Sequence, residues 1–484
     1  MGRFAAILSK RSQNVTGSII RMLRARTPKA PDAEGISIGG VAIIKGRIDP
    51  SDLPETSIAL GYALNKVQPE DPPQPLTQHG YSFAIEGRLW SETGQPTFGS
   101  AGDALGKDPG EGLRQLVMEG KGSFAITAQY GRTILGGRDP VGTIPLYYGE
   151  NEDIAAMASS KKMLWAIGLE AQSLTPGSIL KISEGGTSLE PVKALAQPPL
   201  KEITLNEATS ELDNLMTDAV ASRTRGLSEA SLGFSGGIDS SILAHYLDKA
   251  GVDLDLICVG IEDSREFETA ETAAEALDLP LRLEAFTTED VEKDLDAVLW
   301  SIEEPDSMKA SVAIPLHWAV RSATQYGTRV FFSGNGSDEL FGGYHRHAQE
   351  YAEHGEAVVA SIFRDVSESY RVNYERDHKV CMDAGLELRL PFSDLALIEW
   401  GLSIPPNLKL SGGPGSPRKL VLRSLARRLG LPEEISGRPK KAIQYSTGVN
   451  GALRKLAKSE GKTLQDYLSE RFQKLRDENI RRLG

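Results

Sequence analysis

The segment from Ser231 to Ser241 restricts the possible folds of this chain more than any other stretch. It reads SLGFSGGIDSS, an apolar run followed by a loop of glycine and serine and then by a helical pattern that continues to Lys249. Further short apolar runs follow at 254–261, 281–286 and 329–332, and helical patterns separate them. Strands that alternate with helical crossovers predict a parallel, doubly wound sheet with helices on both faces. We therefore expect an α/β fold that binds its ligand at the carboxyl ends of these strands.

The first half of the chain has a different pattern. Predicted strands at 39–44, 81–85, 122–129, 132–135 and 146–148 alternate with glycine and proline. Helices are predicted over 15–26 and 111–119, and together these patterns indicate sheets covered by helices. The pair Pro198-Pro199 fits neither a helix nor a central strand. It separates two predicted domains, residues 1–196 and residues 205–484, and the region after about residue 343 is mostly helical.

Composition excludes several classes of protein. Apolar residues make up 40% and charged residues 25% of the chain, as in ordinary globular proteins. No apolar run approaches the roughly 18 residues that span a bilayer, and the net charge of −12 argues against a nucleic-acid or membrane partner. Cys258 and Cys381 lack metal-binding spacing and are expected to be buried in a reducing compartment. We expect a cytoplasmic protein.

The first motif, residues 235–241, has the chemistry of a phosphate-binding loop. Its glycines allow the backbone to approach an anion, and its hydroxyls and the helix N-terminus offer hydrogen-bond donors to phosphate oxygens. It is neither a Walker A loop nor a GxGxxG loop, and the alternative is a turn that only caps a helix. The candidate nucleotide-binding residues here are Gly233, Ser235, Gly236, Gly237, Asp239, Ser240 and Ser241.

The second motif, SGNGSDELFGGY, spans Ser333–Tyr344 and follows another predicted strand. It is therefore expected at the same edge of the sheet as the first motif. Asp239 and Asp338 would then face one crevice, and one or two carboxylates beside phosphate oxygens are what Mg²⁺ requires. The alternative for each aspartate is a helix cap.

Five stretches of the second half resemble the asparagine synthetase family, in the order that the family has them. They are the first motif, the second motif, Gly385–Asp394, Arg418–Arg423 and Arg438–Lys441. The resemblance implies a two-step reaction. A carboxylic acid, with aspartate as the default, and ATP form an acyl-adenylate and pyrophosphate, and ammonia then displaces AMP. It also implies ATP and Mg²⁺ as cofactors and a homodimer.

The resemblance implies roles for individual residues. Lys440 would stabilise the intermediates, and Lys419 would contact the departing pyrophosphate. The alternative for these lysines is a solvated basic surface. Asp306 and Lys309 lie in the segment that binds the acceptor acid, where Lys309 could pair with a substrate carboxylate. Further residues implied to contact the nucleotide are Val259, Gly260, Ser333 and Gly334.

The first half resembles the glutaminase domain of that family, which implies a four-layered αββα fold of the amidohydrolase (Ntn) type. The similar stretches are Asp71–Leu76, Phe83–Arg88, Gly137–Gly149 and Leu174–Gly177. However, Gly2 replaces the nucleophilic cysteine, and Glu86 replaces the asparagine that binds the oxyanion. Residues 57–63 lack an arginine to hold glutamine. We therefore expect free ammonia as the nitrogen source, unless another subunit supplies it.

Position 335 also departs from the family. Asn335 stands where the family usually has glutamate and the related β-lactam-forming enzymes have tyrosine. Asparagine is no base near neutral pH, although it can orient an amine. Asp377 is our candidate for the missing base, and its alternative is a charge pair on a helix surface. Three functions stay open: an asparagine-forming ligase, a ligase that uses another acid or amine, and an ATP-binding regulatory or scaffold subunit without ligase activity.

Overall fold

The structure is a computed structural model that describes residues 2–25, 30–90, 98–262, 264–413, 416–437 and 447–483. The chain divides into two units, and the boundary between residues 194 and 195 lies just before the Pro198-Pro199 pair. One unit comprises Met1–Ala194 with Phe472–Gly484, and the other comprises Leu195–Arg471. In the part of the chain that is described, no helix combines the length and the apolar character that crossing a membrane requires.

The first unit is built around two antiparallel sheets. Its strands are β1 (Gly2–Ser9), β2 (Ala33–Ile38), β3 (Val41–Lys45), β4 (Ile58–Leu64), β5 (Leu76–Gln78), β6 (Tyr81–Trp90), β7 (Lys121–Tyr130), β8 (Thr133–Arg138), β9 (Tyr147–Glu150), β10 (Ile154–Ala158), β11 (Gln172–Ser173), β12 (Ser178–Ser183) and β13 (Gly186–Pro191). Among the described residues, one sheet has the order β11-β9-β10-β1-β4-β2-β3 and the other has the order β13-β12-β8-β7-β6-β5.

Helices cover the outer face of each sheet. Helices α1 (Thr16–Arg24) and α4 (Lys161–Trp165) pack on the first sheet, and α2 (Phe98–Leu105) and α3 (Pro109–Glu119) pack on the second. The two sheets face each other, with β1 and β4 against β6 and β7. The layers are therefore αββα, which confirms the predicted fold of this half.

Two details of the first unit differ from the sequence prediction. The predicted strand 39–44 is wrong at its start, because Gly39 and Gly40 have φ values of 57° and 81° and form the turn between β2 and β3. Strand β1 is not predicted from the sequence, although it lies in the middle of its sheet. All of its residues are buried, and a strand covered on both faces lacks the polar alternation that marks a half-exposed strand.

The second unit contains a parallel sheet. Its elements are α5 (Leu205–Thr224), β14 (Glu229–Gly233), α6 (Ile238–Lys249), β15 (Asp253–Ile261), α7 (Arg265–Leu277), β16 (Leu281–Phe286), α8 (Thr288–Ile302), α9 (Ser307–Gln325), β17 (Val330–Phe332), α10 (Ser337–Leu340), α11 (His345–His354), α12 (Val358–Ser369), α13 (Glu375–Ala384), β18 (Glu387–Arg389), α14 (Leu395–Ser403), α15 (Leu420–Arg428), α16 (Glu433–Ser436), α17 (Val449–Ser459) and α18 (Leu464–Leu483), which continues into the first unit. Local signals start several helices: Thr204 and Thr287 each accept a hydrogen bond from the third residue of α5 and α8 in reciprocal capping boxes.

The sheet of the second unit has the strand order β16-β15-β14-β17-β18, and all its pairs are parallel. The chain winds outward from β14 to β16 and then returns to β17 on the other side of β14. Because crossovers are right-handed, α6 and α7 lie on one face of the sheet and α8 and α9 lie on the other. The doubly wound sheet is confirmed, and its switch point lies between β14 and β17, where such folds bind ligands.

Cys258 and Cys381 are both free and buried in the second unit. Burial raises the pKa of each thiol above its usual value. The thiolate form is therefore disfavoured at both positions, and neither cysteine has the character of a reactive nucleophile. This confirms the prediction that both act as small buried apolar residues.

Candidate active site

The two motifs meet at the switch point of the parallel sheet. The first motif follows β14 and the second follows β17. At Gly334, an added Cβ would lie 3.1 Å from the Cβ of Asp239, so the absence of a side chain lets the motifs approach closely. The hydroxyl of Ser337 donates a hydrogen bond of 2.7 Å to Oδ1 of Asp239. The structure thus brings Asp239 into contact with the second motif.

The first motif is shaped by glycine and by the start of α6. Gly236 has a φ of 66°, and an added Cβ would lie 2.5 Å from the carbonyl oxygen of Thr269, so only glycine fits there. The sequence placed Asp239 in the loop, but α6 already begins at Ile238 and Asp239 lies in its first turn. The Ser241 side chain is fully buried, and its hydroxyl has no hydrogen-bond partner among the described residues.

Lys419 lies between the two aspartates that the sequence proposed as metal ligands. Its Nζ is 2.6 Å from each carboxylate oxygen of Asp239 and 2.7 Å from Oδ1 of Asp338. The side chain is only 3% exposed, so the alternative of a solvated basic surface is wrong for this lysine. Burial lowers the pKa of Lys419, and the carboxylate of Asp239 opposes that shift.

Several contacts fix the position of Lys419. At Gly343, an added Cβ would lie 1.8 Å from Oδ1 of Asp338 and 2.5 Å from Cε of Lys419, so any larger residue would displace this ion pair. Lys419 has a φ of 57°, which costs about 1 kcal/mol for a residue with a Cβ. The neighbouring Arg418 donates a 2.6 Å hydrogen bond to the carbonyl oxygen of Gly343. The backbone is therefore held in a costly conformation that directs the lysine at the aspartates.

The carboxylates fit a magnesium ion that is completed by phosphate. Asp239 and Asp338 already share one cation, because both contact the Lys419 ammonium. Among the described residues, no cluster of three or more histidine, cysteine, aspartate or glutamate side chains could form a closed metal site. Mg²⁺ usually takes only one or two protein carboxylates and fills its other positions with phosphate oxygens and water.

A second cluster of side chains surrounds Asn335. Its Nδ2 donates a 2.6 Å hydrogen bond to Oδ2 of Asp377, and Nε of Arg376 donates a 2.6 Å bond to Oδ1 of the same carboxylate. Asp377 is only 4% exposed, so the alternative of a charge pair on a helix surface is wrong. Arg376 directly precedes Asp377 but is not among the site residues predicted from the sequence.

The hydrogen bonds continue from Arg376 to the second motif. Nη1 of Arg376 donates to Oδ1 of Asn373 at 3.3 Å, and Nδ2 of Asn373 donates to Oε1 of Glu339 at 2.7 Å. The Tyr344 hydroxyl donates to the same oxygen, and burial raises the pKa of Glu339. Asn373 belongs to a π-helical turn, Tyr370–Tyr374, and such turns are frequent at functional sites. This series of hydrogen bonds links Asp377 to Glu339, the residue next to Asp338.

The remaining predicted site residues make other contacts or lie outside the described residues. Asp306 caps α9 by accepting a 2.8 Å hydrogen bond from the backbone of Lys309, and the Lys309 ammonium pairs with Glu304 at 2.7 Å. Val259 and Gly260 are buried at the end of β15. Lys440 lies outside the described residues. In the part of the chain that is described, no hydrogen bond joins Asp306 or Lys309 to Asp239 or Asp338.

Comparisons with known proteins agree with these motifs. A family model described as asparagine synthase matches residues 211–360 and 352–483. A relative from Methanocaldococcus jannaschii, whose name describes a glutamine-hydrolyzing asparagine synthetase, is 33% identical over 72% of this chain and 74% of its own. The glutamine-hydrolyzing asparagine synthetase of Cricetulus griseus is 28% identical over 74% of this chain and 68% of its own.

Among solved structures, the glutamine phosphoribosylpyrophosphate amidotransferase of B. subtilis matches with a TM-score of 0.36 and 12% identity, and the match covers 59% of this chain and 91% of that one. At that score the likeness supports no argument.

Proposed function

The chain belongs to the asparagine synthase family of carbon–nitrogen ligases, and we propose that it uses ATP to convert a carboxylic acid, with aspartate as the default, into an amide. The observation that carries this proposal is the meeting of both motifs at the switch point, with Asp239 and Asp338 around one cation position. In the first step the acid attacks the α-phosphate, an acyl-adenylate forms and pyrophosphate leaves. In the second step an amine attacks the acyl carbon and AMP leaves.

The residues of the first motif suit the nucleotide half of the reaction. The backbone N–H groups at the start of α6 and the hydroxyl of Ser235 can donate to phosphate oxygens, and the Ser240 hydroxyl can do so if it leaves the carbonyl oxygen of Gly237, to which it donates at 3.1 Å. Mg²⁺ bound by Asp239 and Asp338 would supply charge neutralisation at the phosphates. Lys419 contacts both aspartates and would therefore lie near the same oxygens, which suits the proposed contact to pyrophosphate. We keep Lys440 as a second cation for the intermediates.

The cluster around Asn335 suits the amide-forming half. An amine that attacks the acyl carbon must lose a proton, and Asp377 is a carboxylate that can accept it. Arg376 occupies Oδ1 of that carboxylate, and Asn335 binds Oδ2 through Nδ2. These two contacts fix the orientation of the base, so Asn335 acts by positioning while Asp377 accepts the proton. Asp377 contacts residue 335 directly, and a base at this place can also deprotonate an amine other than ammonia. A ligase that uses another amine is therefore the second candidate.

Replacing Asp377 by asparagine should slow amide formation about 10²-fold and change adenylation little, because a general base is needed only in the second step. The measurement is ATP–pyrophosphate exchange for the first step and amide product for the second. Asp383→Asn, on the same helix α13, is the matched control. An equal loss in both steps would give Asp377 a purely structural role.

The surroundings of Gly2 support ammonia rather than glutamine as the nitrogen source. At Gly2, an added Cβ would lie 2.3 Å from the carbonyl oxygen of Ala63 and 2.7 Å from the ring of Tyr62. Arg88 ends the stretch Phe83–Arg88, which resembles the family's glutaminase domain, and it forms a buried ion pair with Asp71 through two hydrogen bonds of 2.8 and 3.2 Å. Glu86, at the oxyanion position, is 1% exposed. These contacts support a first unit that does not hydrolyse glutamine.

Gly2→Cys should therefore fail to create glutaminase activity, and it should destabilise the protein by about 1–3 kcal/mol, because a backbone oxygen stands in the way of the new side chain. Glutamate release from glutamine and the thermal unfolding midpoint are the two measurements. Gly17→Cys is the control, since Gly17 is exposed with open space around it. Glutamate release by the unmodified protein at the rate of amide formation would refute the proposed ammonia dependence.

One assay tests the proposed reaction as a whole. Pyrophosphate release from ATP is measured with aspartate, first alone and then with ammonium, and the product is identified. Release together with asparagine supports the proposal in its full form. Release only with a different acid or amine supports the second candidate. ATP binding without release in the presence of any carboxylic acid would favour a regulatory or scaffold role and contradict the proposed ligase reaction.

A further inference from the structure

We infer that Lys419 has a role besides contacting pyrophosphate: in the nucleotide-free protein its ammonium occupies the metal position between Asp239 and Asp338, so that a divalent cation enters only together with ATP. The inference rests on the proposed assignment of these two aspartates to Mg²⁺. It makes Lys419 a positioning residue that keeps both carboxylates aimed at one point until the nucleotide arrives.

The distances make the two cations mutually exclusive. The Lys419 nitrogen lies 2.6 Å from both oxygens of Asp239 and 2.7 Å from Oδ1 of Asp338. A magnesium ion requires its oxygen ligands at about 2.0–2.1 Å. The Lys419 ammonium already stands within hydrogen-bond distance of both carboxylates, so a second cation placed between them would meet its bulk and its positive charge. The metal can therefore bind both aspartates only after the lysine has moved.

The ammonium is well satisfied where it stands. Lysine has three N–H donors, and Lys419 has three acceptor groups in Asp239, Asp338 and the hydroxyl of Ser337, which is 3.2 Å away. Ser337 in turn donates to Oδ1 of Asp239. A free divalent cation must displace this whole arrangement and also give up its own tightly bound water. Without a new anion for the lysine, that exchange is unfavourable.

A triphosphate supplies the missing anion. The lysine side chain has a flexible four-carbon stem, so its ammonium can transfer from the carboxylates to phosphate oxygens while the backbone stays fixed by the contacts of Arg418. The carboxylates are then free for a metal that shares the same phosphates. Each ligand removes the obstacle to the other, which couples nucleotide binding to metal binding in a reciprocal way.

The test uses Mn²⁺ as the metal and proton relaxation of water as the signal of bound metal, with no turnover. For the intact protein we expect weak Mn²⁺ binding alone and strong binding with the α,β-methylene analogue of ATP, which cannot transfer its adenylyl group to an acid. In Lys419→Met, binding of Mn²⁺ alone should tighten by about tenfold or more, because a charge-assisted competitor is removed. Adding Asp239→Asn to Lys419→Met should abolish that gain.

The outcomes separate this inference from the proposed function. Equal Mn²⁺ affinity of the intact protein with and without the nucleotide analogue would overturn the inference and leave the metal assignment intact. The same holds if Lys419→Met gains no affinity for Mn²⁺ alone but still binds it with the analogue. If neither protein binds Mn²⁺ even with the analogue, both the inference and the proposed metal site are wrong. The comparison within the intact protein stands even if the variant does not fold.

Discussion

Pyrophosphate release from ATP is expected to fall by about 10³-fold when Asp239 is replaced by asparagine. The carboxylate of Asp239 contacts Lys419 through both oxygens and accepts a hydrogen bond from Ser337. Asparagine keeps the size of the side chain but removes the charge that both a lysine and a metal require. The cation that neutralises charge growing on the phosphates in the transition state is then held by Asp338 alone.

The control for this experiment is Asp253→Asn, at the exposed amino end of β15 and therefore at the opposite edge of the sheet from the motifs. It should leave release unchanged. A thermal unfolding midpoint measured for both variants shows that any loss is not a loss of folded protein. An Asp239→Asn variant that keeps more than about a tenth of the rate would contradict the role assigned to this carboxylate, since one tenth corresponds to only about 1.4 kcal/mol.

The fold was predictable where local signals agree. The segment Ser231–Ser241 combines a buried strand, two glycines and a helix start, and these signals act over a few residues. The strand β1 was not predictable in the same way, because its burial on both faces comes from layers formed by distant parts of the chain. At Asp306, helix α9 begins one residue later, at Ser307, and it contains Pro315. Pro315 interrupts the helical pattern in the sequence, so the start of the helix at the Asp306 cap is not evident from the sequence.

The composition of the site was predictable from its motifs, whereas its connections were not. Both aspartates were expected at one edge of the sheet, because parallel strands end together. The position of Lys419 between them depends on a contact across 180 residues of sequence. A signal was present in Gly343, within the second motif, whose missing side chain makes room for that lysine. Arg376 was not predicted as a site residue, because a run of charged residues in the sequence gives no sign that it is buried. Only burial distinguishes the fixed carboxylate of Asp377 from a charge pair on the surface.

The largest expected change in stability concerns Lys409, a buried lysine of the second unit. It is 2% exposed, and none of the described carboxylates forms an ion pair with it. Burial lowers its pKa to about 7, whereas the unfolded chain has a lysine pKa near 10.4. Between these two pH values the unfolded chain binds the extra proton, so the free energy of unfolding rises with pH across this window. Below about pH 7 the folded protein carries the full cost of a buried charge.

Lys409→Met should therefore stabilise the protein by several kcal/mol near pH 7, by up to about 5 kcal/mol. The gain should shrink steadily as the pH rises and vanish above about pH 10, where lysine is neutral in both states. Denaturant unfolding at a series of pH values measures this directly. A gain that does not change between pH 7 and pH 10 would mean that packing rather than charge causes it.

Lys379→Met is the matched comparison and should have the opposite sign. Lys379 is equally buried, but its Nζ lies 3.0 Å from a carboxylate oxygen of Glu303, whose side chain has no exposed surface. Burial alone would lower the pKa of Lys379, yet the carboxylates of Glu303, Glu375 and Glu304 raise it above the usual value. Removing this lysine leaves a buried carboxylate without its cation, which costs about 3–5 kcal/mol. Two buried lysines in one unit are thus expected to differ in sign because only one has an acid beside it, and a loss of stability in both variants would refute that explanation.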